Sequence, residues 1–419
     1  MNHRGMAQAI YTLLGQEERI KRNLQQDPVV TLVDALLYQA IVVNASDIHL
    51  QPSDTHVRVR FRIDGVLYDQ QPIPILYQEQ VIARLKVLAA MDIAQHLLPQ
   101  DGKCKIHVAL TNQDQTSIER FIDIRVATFP SLYGEKMVLR LLDRDERLLT
   151  LSMLGFSDAM YGQLLSIIKH QHGLFLVTGP TGAGKTTTLY AVLSALNKPG
   201  KNIVTMEDPI EYELEGITQT QVNLKTGFSF ENGLRSLVRQ DPDIMMIGEV
   251  RDIPTVHIAV EAALTGHLVL STLHTNDAVG ALSRLLDMGV EPFLMSASVI
   301  GVMAQRLVRV LCSACKQKVD APASIQEAAI RYLGRSLTDC YVPVGCRACF
   351  KLGYKGRTGV FELLVVDDRI KEMIIKKTSP AEIKTYAQTQ GMICLFADGL
   401  RKVEQGIISL EELLALIQE

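Results

Sequence analysis

The stretch LFLVTGPTGAGKTT, residues 174–187, decides the fold of this 419-residue chain. Leu174 to Thr178 is an apolar run with the length of a buried strand, and Gly179 to Thr186 match the pattern G-x-x-x-x-G-K-[ST]. In this pattern backbone N–H groups surround phosphates, the lysine reaches the β- and γ-phosphates, and the last hydroxyl binds Mg²⁺. A chance glycine-rich turn is the alternative, but the flanking strand and helix favour a site for ATP and Mg²⁺. Its candidate residues are Gly179, Pro180, Thr181, Gly182, Ala183, Gly184, Lys185, Thr186 and Thr187.

Three more apolar strands follow this loop, with helical sequence between them. They are Ile203–Met206, Ile244–Ile247 and Leu268–Leu270. Buried parallel strands separated by helices predict an α/β sheet covered on both faces.

Carboxylates come directly after two of these strands. Ligands bind at the carboxyl ends of parallel strands, so we expect these acids to face Lys185, one holding Mg²⁺ and one orienting or deprotonating the attacking water. We favour Glu211 and Glu249 over Glu207 and Asp208, and solvated strand caps are the alternative reading.

Two histidines, His267 and His274, bracket the last of these strands. A lone histidine is usually structural, but this strand should lie beside the one that leads to Glu249. A phosphate-sensing role is therefore plausible, and we favour His274 for it.

Four of the seven cysteines form two C-x-x-C pairs, Cys312 with Cys315 and Cys346 with Cys349. Each pair can hold one side of a metal ion, and four thiolates suit tetrahedral Zn²⁺. Four free buried thiols are the alternative, which the matched spacing disfavours.

The sequence before the phosphate loop predicts a small α+β domain. We expect helices at 28–43 and 82–91, and strands at 57–63, 121–128 and 136–142, with a hairpin turn at Asp64-Gly65. Arg125 and Arg140 alternate with apolar neighbours in two of these strands. On the residues alone they are strand-face arginines paired with acids.

Net charge and hydropathy indicate which partners and which cellular location to expect. The formal net charge is −3, which argues against a nucleic-acid binder because such proteins are usually basic. No apolar run reaches the roughly 18 residues that span a bilayer, and the N-terminus does not resemble a signal peptide. We expect a cytoplasmic protein that reaches the inner membrane through partners.

A series of ordered motifs resembles the ATPases of type II secretion and type IV pilus assembly. Besides the phosphate loop, these motifs are Ser46-Asp47-Ile48-His49, Arg62-Ile63-Asp64-Gly65, Leu98-Pro99-Gln100-Asp101-Gly102, Glu207-Asp208-Pro209-Ile210-Glu211, Arg239-Gln240-Asp241-Pro242-Asp243, Gly248-Glu249-Val250-Arg251-Asp252 and Thr265-Gly266-His267. The resemblance implies a small PAS-like domain joined to a RecA-like motor domain, with six chains in a ring.

The resemblance also implies roles for single residues. Glu211 falls in the family's acidic box, Glu249 in its Walker B motif, and His267 and His274 in its histidine box. The arginines that it assigns to the nucleotide are Arg125 and Arg140 on the small domain and Arg235, Arg239 and Arg251 on the motor domain. The four-cysteine module matches the secretion and assembly members.

The expected organisation is an extension (1–27), the small domain (28–142), a linker (143–150), the ATPase core (151–311), the zinc module (312–360) and a helical region (361–419). The expected partners are an inner-membrane platform protein and a membrane-anchored adaptor, although the separate N-terminal docking domain of long members looks missing or reduced. Two other functions stay open: a DNA-uptake or conjugation motor, and a nucleotide-binding zinc scaffold that does not hydrolyse ATP.

Overall fold

The computed structural model describes residues 28–111, 117–143 and 150–418. The chain forms two compact units that divide between Arg147 and Leu148. The expected extension at 1–27 lies outside the described residues, as do residues 144–149 of the expected linker. Within the described ranges, no helix is both long enough and apolar enough to cross a membrane.

The described part of the first unit is an antiparallel sheet with two α-helices. The helices are α1 (Pro28–Val42) and α2 (Gln78–Leu88), and the strands are β1 (Ala45–Pro52), β2 (His56–Ile63), β3 (Val66–Asp69), β4 (Ile73–Pro74), β5 (Gln100–Thr111), β6 (Ser117–Ser131) and β7 (Gly134–Asp143). The strand order is β3-β2-β1-β7-β6-β5, and β4 pairs with β2. The sequence predicted α1, α2, β2, β6 and β7 with slightly different bounds, but it did not predict β1 or β5.

Alternation along β2 gives this sheet an apolar and a polar face. Val57, Val59 and Phe61 are buried, while the arginines between them lie on the other face, as predicted. The turn after β2 has Asp64 and Gly65 at positive φ, which matches the hairpin turn that an Asp-Gly pair favours.

The second unit is built on a mostly parallel sheet. Its strands are β8 (Gly173–Thr178), β9 (Ile203–Glu207), β10 (Thr218–Gln221), β11 (Ile244–Ile247), β12 (Leu268–Leu273), β13 (Val299–Leu311) and β16 (Tyr354–Val365), and a separate hairpin is formed by β14 (Gln317–Asp320) and β15 (Asp339–Val342). The strand order is β10-β9-β11-β12-β8-β13-β16. All neighbours are parallel except β16, which runs antiparallel to β13.

Eleven described helices surround these strands. They are α3 (Asp158–Ile168), α4 (Lys185–Leu196), α5 (Phe230–Leu237), α6 (Ile253–Leu264), α7 (Ala278–Asp287), α8 (Pro292–Ser298), α9 (Ala323–Leu333), α10 (Asp368–Ile375), α11 (Pro380–Thr389), α12 (Leu395–Glu404) and α13 (Leu410–Gln418).

Side chains of the sheet alternate between two cores. Leu174 and Leu176 of β8 belong to the core with helices α5–α8, α10 and α11, whereas Phe175 and Val177 belong to the core with α3 and α4. The mixed α/β fold with a sheet covered on both faces is therefore confirmed. Six strands parallel to one another also bring their carboxyl ends to one edge.

A third core lies beyond the sheet, under the cysteine-bearing segment. It combines α9, α12 and α13 with Val308 of β13 and Val360 of β16. The residue-360 boundary expected from the sequence falls inside β16, a strand of the main sheet.

Candidate nucleotide and metal sites

The phosphate loop connects the end of β8 to the start of α4. Gly179, Gly182 and Gly184 have φ values of 153°, 82° and 83°, which other residues rarely adopt. A Cβ at Gly179 would lie 2.4 Å from the carbonyl oxygen of Gln305, and one at Gly184 would lie 2.9 Å from its Nε2. Glycine is therefore required by backbone conformation and by close packing against β13.

Gln305 holds this loop from below. Its side chain is buried, its Nε2 donates to the carbonyl of Ala183 (2.7 Å), and its Oε1 accepts from Thr188 Oγ1 (2.7 Å). The next residue, Arg306, donates to the backbone and side-chain oxygens of Asn276 at 3.2 and 3.3 Å. Two polar residues within a buried strand thus connect the phosphate loop to the segment after β12.

Lys185 is the first residue of α4. Its Nζ donates to the carbonyls of Gly179 (2.7 Å) and Pro180 (3.1 Å) and lies 3.5 Å from His274 Nδ1. Burial lowers the pKa of Lys185 to about 8, against the opposing field of Glu249. An anion bound beside Lys185 would raise this pKa again and keep its amine protonated.

Glu249 follows β11 and meets the lysine through a histidine. Its carboxylate lies 2.7 Å from Arg251 Nε and 3.6 Å from His274 Nε2. Lys185 and Glu249 thus contact opposite nitrogens of the His274 ring. The predicted residues Lys185, Glu249, Arg251 and His274 come together at the carboxyl edge of the sheet, where β11 and β12 are neighbours as predicted.

Glu207 was expected to face Lys185, and that expectation is wrong. Its side chain is buried and accepts hydrogen bonds from Tyr190, Thr205 and Gln219. Burial and the bond to Glu207 raise the pKa of Tyr190, so the phenol remains a donor. Glu207 is the last residue of β9, and the alternation of the strand turns it into the layer of α4 instead of toward the loop.

Glu211 and Asp208 are exposed at the surface. The backbone N–H of Glu211 donates to the Tyr190 hydroxyl at 3.4 Å, which fixes the segment after β9 against α4. Tyr190 lies on the helix that Lys185 begins, so Glu211 lies beside the same helix without a described side-chain contact to Lys185.

The remaining predicted residues of this unit lie outside the cluster. Arg235 pairs with Glu231 on α5, and Arg239 contacts Ser236. His267 precedes β12, and its Nδ1 lies 3.0 Å from the carbonyl of Ala262. Because the six residues of β12 lie between them, His267 and His274 are separated by roughly 23 Å along the strand. His267 therefore closes the turn at the amino edge and does not share the His274 site.

Arg125 and Arg140 lie in the first unit, directly opposite each other on β6 and β7. Both point away from the apolar face, as their alternation predicted. Arg140 is 62% exposed and its Nε lies 3.1 Å from Asp47. The acid pairing that the residues alone suggested is thus present for Arg140.

The four cysteines of the C-x-x-C pairs gather at the end of β13. Their sulfurs all lie within 4.8 Å of one another, and three of the separations are 3.8–3.9 Å. A tetrahedron with Zn–S bonds of about 2.3 Å has S–S edges of about 3.8 Å, so the four sulfurs fit a zinc ion.

Backbone donors prepare this cluster for thiolates. The N–H groups of Cys346 and Gly353 both donate to Cys349 Sγ at 3.2 Å. Burial works against ionisation of Cys349, but these donors and the neighbouring thiols outweigh it and lower its pKa to about 6. The charge of a thiolate is thus partly balanced before any cation is considered.

Known proteins match this chain over almost its whole length. The sequence profile described as "Type II/IV secretion system protein" matches residues 22–415. Type II secretion system protein E of Pseudomonas aeruginosa is 48% identical over 398 residues, which cover 94% of this chain and 76% of that protein. Type II secretion system ATPase E of Vibrio cholerae is 44% identical over 406 residues, covering 97% and 78%. This chain belongs to the type II secretion ATPase family.

Solved structures support the fold of this secretion ATPase. The ATPase DotB of Legionella pneumophila superposes with a TM-score of 0.64 at 21% identity, covering 92% of this chain and 95% of DotB. The pilus retraction motor PilT with bound ADP superposes with a TM-score of 0.57 at 24% identity, covering 91% and 95%. At these identities the similarity concerns the fold.

Sequence reasoning on this secretion ATPase missed the residues that hold the site from behind. They are Thr178, Tyr190, Asn276, Gln305 and Arg306. A usable signal existed for the last two, because Gln305-Arg306 interrupts an otherwise apolar run from Val299 to Val308. Buried polar residues in a strand require partners, and the phosphate loop supplies them here.

Proposed function

We propose that this protein is a Mg²⁺-dependent ATP hydrolase that works as the motor of a type II secretion or pilus-type assembly machine. The observation that carries the proposal is the contact of Lys185 and Glu249 with opposite sides of His274, beside a phosphate-type loop. Only the His274 side chain thus separates Lys185, a cation suited to phosphate, from Glu249, an acid suited to a metal ion or water.

The chain's own residues would divide the chemistry as follows. The backbone of the glycine loop and the N-terminus of α4 bind the phosphates, and Lys185 neutralises their charge. Mg²⁺ at this site would supply positive charge that offsets the negative charge developing during phosphoryl transfer. Thr186 and Glu249 would hold that ion, and Glu211 would orient or deprotonate the attacking water. His274, between Lys185 and Glu249, would report the state of the γ-phosphate.

Arginines complete the proposed site. We assign Arg235, Arg239 and Arg251 to the nucleotide from the motor side, and Arg125 and Arg140 from the small domain. Bidentate N–H groups suit phosphate oxygens, and the adjacent positions of Arg125 and Arg140 on one sheet face present two such groups together.

The four cysteines would hold one structural Zn²⁺. Its site is closed by four protein sulfurs, so the ion would supply folding energy and leave no position for a substrate. The proposed assembly is a homohexamer in the cytoplasm that meets the inner membrane through a platform protein, with an adaptor as a further partner. The charge of the chain supports a machine that moves protein subunits instead of DNA.

The function is tested by ATP turnover of the purified protein. We expect Mg²⁺-dependent phosphate release that stops with chelator and does not rise when single- or double-stranded DNA is added. DNA stimulation would favour a DNA-uptake or conjugation motor. ATP binding without turnover, in both monomer and hexamer fractions, would favour the scaffold.

The small-domain arginines have a test of their own. We expect Arg140→Ala to bind ATP but to hydrolyse it at least about 10³-fold more slowly, because an arginine supplied to phosphate can contribute 10³–10⁵ in rate. Arg125→Ala should behave similarly, and Arg58→Ala, which pairs with Asp69 at the edge of the same sheet, is the control. Recovered activity on mixing Arg140→Ala with Lys185→Ala chains would indicate donation between subunits. Full activity of both arginine variants would remove the small domain from catalysis.

A further inference from the structure

The turn at residues 274–278 joins the catalytic edge of the sheet to the rest of the second unit. It begins with His274, which touches both Lys185 and Glu249, and it ends at the start of α7. The position of His274 therefore depends on what holds the next four residues.

Three contacts hold this turn to strands of the sheet. The N–H of Thr275 donates to Thr178 Oγ1 at 2.8 Å, and Arg306 donates to Asn276. The N–H of Ala278 donates to Glu362 Oε1 at 2.9 Å. These partners belong to β8, β13 and β16, the rigid centre and edge of the sheet.

A fourth contact comes from a helix near the C-terminus. Lys384 of α11 places its Nζ 2.8 Å from Asp277 Oδ2, while Asp277 Oδ1 accepts the N–H of Gly280 and caps α7. Asp277 thus has one oxygen committed to the helix cap and the other to Lys384. Both side chains are about one-third exposed.

Lys384 also interacts electrostatically with a buried acid. This acid is Glu362, which is almost fully buried. Burial raises the pKa of Glu362, and hydrogen bonds from Ala278 together with the field of Lys384 oppose that rise. Lys384 faces two acids: Asp277, which is part of the turn, and Glu362, which accepts the N–H of Ala278 at its end. Losing its charge would leave two neighbouring carboxylates to repel each other at the base of His274.

We propose that the Lys384–Asp277 ion pair is a positioning contact for ATP hydrolysis, which fixes the 274–278 turn and thereby His274 between Lys185 and Glu249. The inference rests on the proposed ATPase function. It makes Lys384 a positioning residue that acts through His274, and it links helix α11 to the reacting edge of the sheet.

The ion pair can be separated from the helix cap by substitution. Asp277→Asn keeps an oxygen for the N–H of Gly280 but removes the charge, because asparagine caps helices as well as aspartate does. Lys384→Met removes the charge and keeps much of the length. Lys384→Arg restores the charge. Lys371→Met is the matched control, since Lys371 pairs with Asp368 within α10.

The test measures kcat and KM for ATP on the full chain in these variants. We expect Lys384→Met and Asp277→Asn each to lower kcat about tenfold, within the 10²-fold that a displacement of about 1 Å can cost. The KM should change less than about twofold, because phosphate binding by the loop is untouched. Lys384→Arg should recover most of the rate, and Lys371→Met should match wild type.

A second arm asks whether the effect passes through His274. In a His274→Ala background, Lys384→Met should change kcat by less than about twofold, since coupled residues are not additive. An undiminished tenfold loss there would overturn the inference, and so would a wild-type kcat for both Lys384→Met and Asp277→Asn. Absence of turnover in wild type would instead overturn the proposed function, on which this inference rests. Thermal unfolding of each variant separates lost rate from lost fold.

Discussion

The phosphate loop and the cysteine cluster are built in opposite ways. At the loop the backbone makes the shape: glycines at positive φ pack against Gln305, and side chains such as Lys185 are added to a completed frame. At the cluster the side chains complete the shape: two short segments, also joined by a hydrogen bond from the N–H of Cys312 to the carbonyl of Gly353, bring four sulfurs within 4.8 Å of one another. Function can therefore be removed from the phosphate loop without unfolding it. At the cysteine cluster the sulfur atoms that would bind the metal also hold the segment together, so that removing them removes both.

The largest expected effect tests the cysteine half of this contrast. Cys346→Ser should abolish zinc binding and unfold the β14–β15 segment, since structural zinc contributes about 10–16 kcal/mol of apparent binding free energy. Metal analysis should find one zinc per chain in wild type and none in the variant, and hydrogen exchange should show lost protection around β14. Cys104→Ser, in the first unit, is the control. Wild type purified without chelator and free of zinc would contradict the prediction.

The next effect tests the loop half. Lys185→Ala should lower hydrolysis by at least about 10³-fold, the scale of losing a preorganised charge partner of the transition state. Unfolding by heat should be nearly unchanged, because the Lys185 side chain contacts two carbonyls of its own loop and the half-exposed ring of His274. Lys169→Ala, at an exposed position after α3, serves as the control. A variant that unfolds would make the loop resemble the cysteine cluster, and normal turnover would refute the site.

Three acids that end or follow the neighbouring strands β9 and β11 sharpen the comparison further. Glu249→Gln should trap bound ATP or disturb Mg²⁺ binding at unchanged stability, and Glu211→Gln should bind ATP without hydrolysing it. Glu207→Gln should instead lose roughly 1–3 kcal/mol of stability, because an amide N–H₂ would face the donors Tyr190 and Gln219. Urea unfolding and turnover distinguish the outcomes. Normal hydrolysis by Glu211→Gln would leave Glu249 as the better candidate for the base.

The smallest effect concerns pH. A free-protein pKa of about 8 for Lys185 means that its positive charge is lost as pH rises through 8 instead of near 10.5. Because phosphate binds the charged form and holds it protonated, ADP affinity should fall by up to about tenfold per pH unit above 8. A fluorescent ADP analogue titrated from pH 7 to 9.5 would measure it. Lys185→Ala should show a much flatter profile, and an equally steep one would assign the pH dependence elsewhere.

The features that short stretches of sequence determine could be predicted from the sequence. Strand β8, the glycine loop and α4 form one continuous signal, and the C-x-x-C spacing defines the four sulfurs. Glu249 and His274 were also found, because both follow directly from strands whose order in the sheet could be inferred.

The rest depended on contacts between residues far apart in the chain. Glu207 resembled Glu249 in sequence, but the donors that bury it, Tyr190 and Gln219, come from α4 and β10. Gln305 lies about 120 residues after the loop that it supports. Strands β1 and β5 carry too many polar residues for a clear alternation, and neighbouring strands determine their place.

One strand gives the two contrasting sites a shared mechanical element. β13 is 13 residues long. It holds the phosphate loop through Gln305 and leads into Cys312 roughly 23 Å further on. Between Gln305 and Leu311 it stays paired with β16, with a register shift between Arg309 and Leu311. An extended strand hardly stretches, so tension applied at the sulfur end would reach the loop. A pulling force on the cysteine cluster would thus strain the phosphate loop at the other end of the same strand.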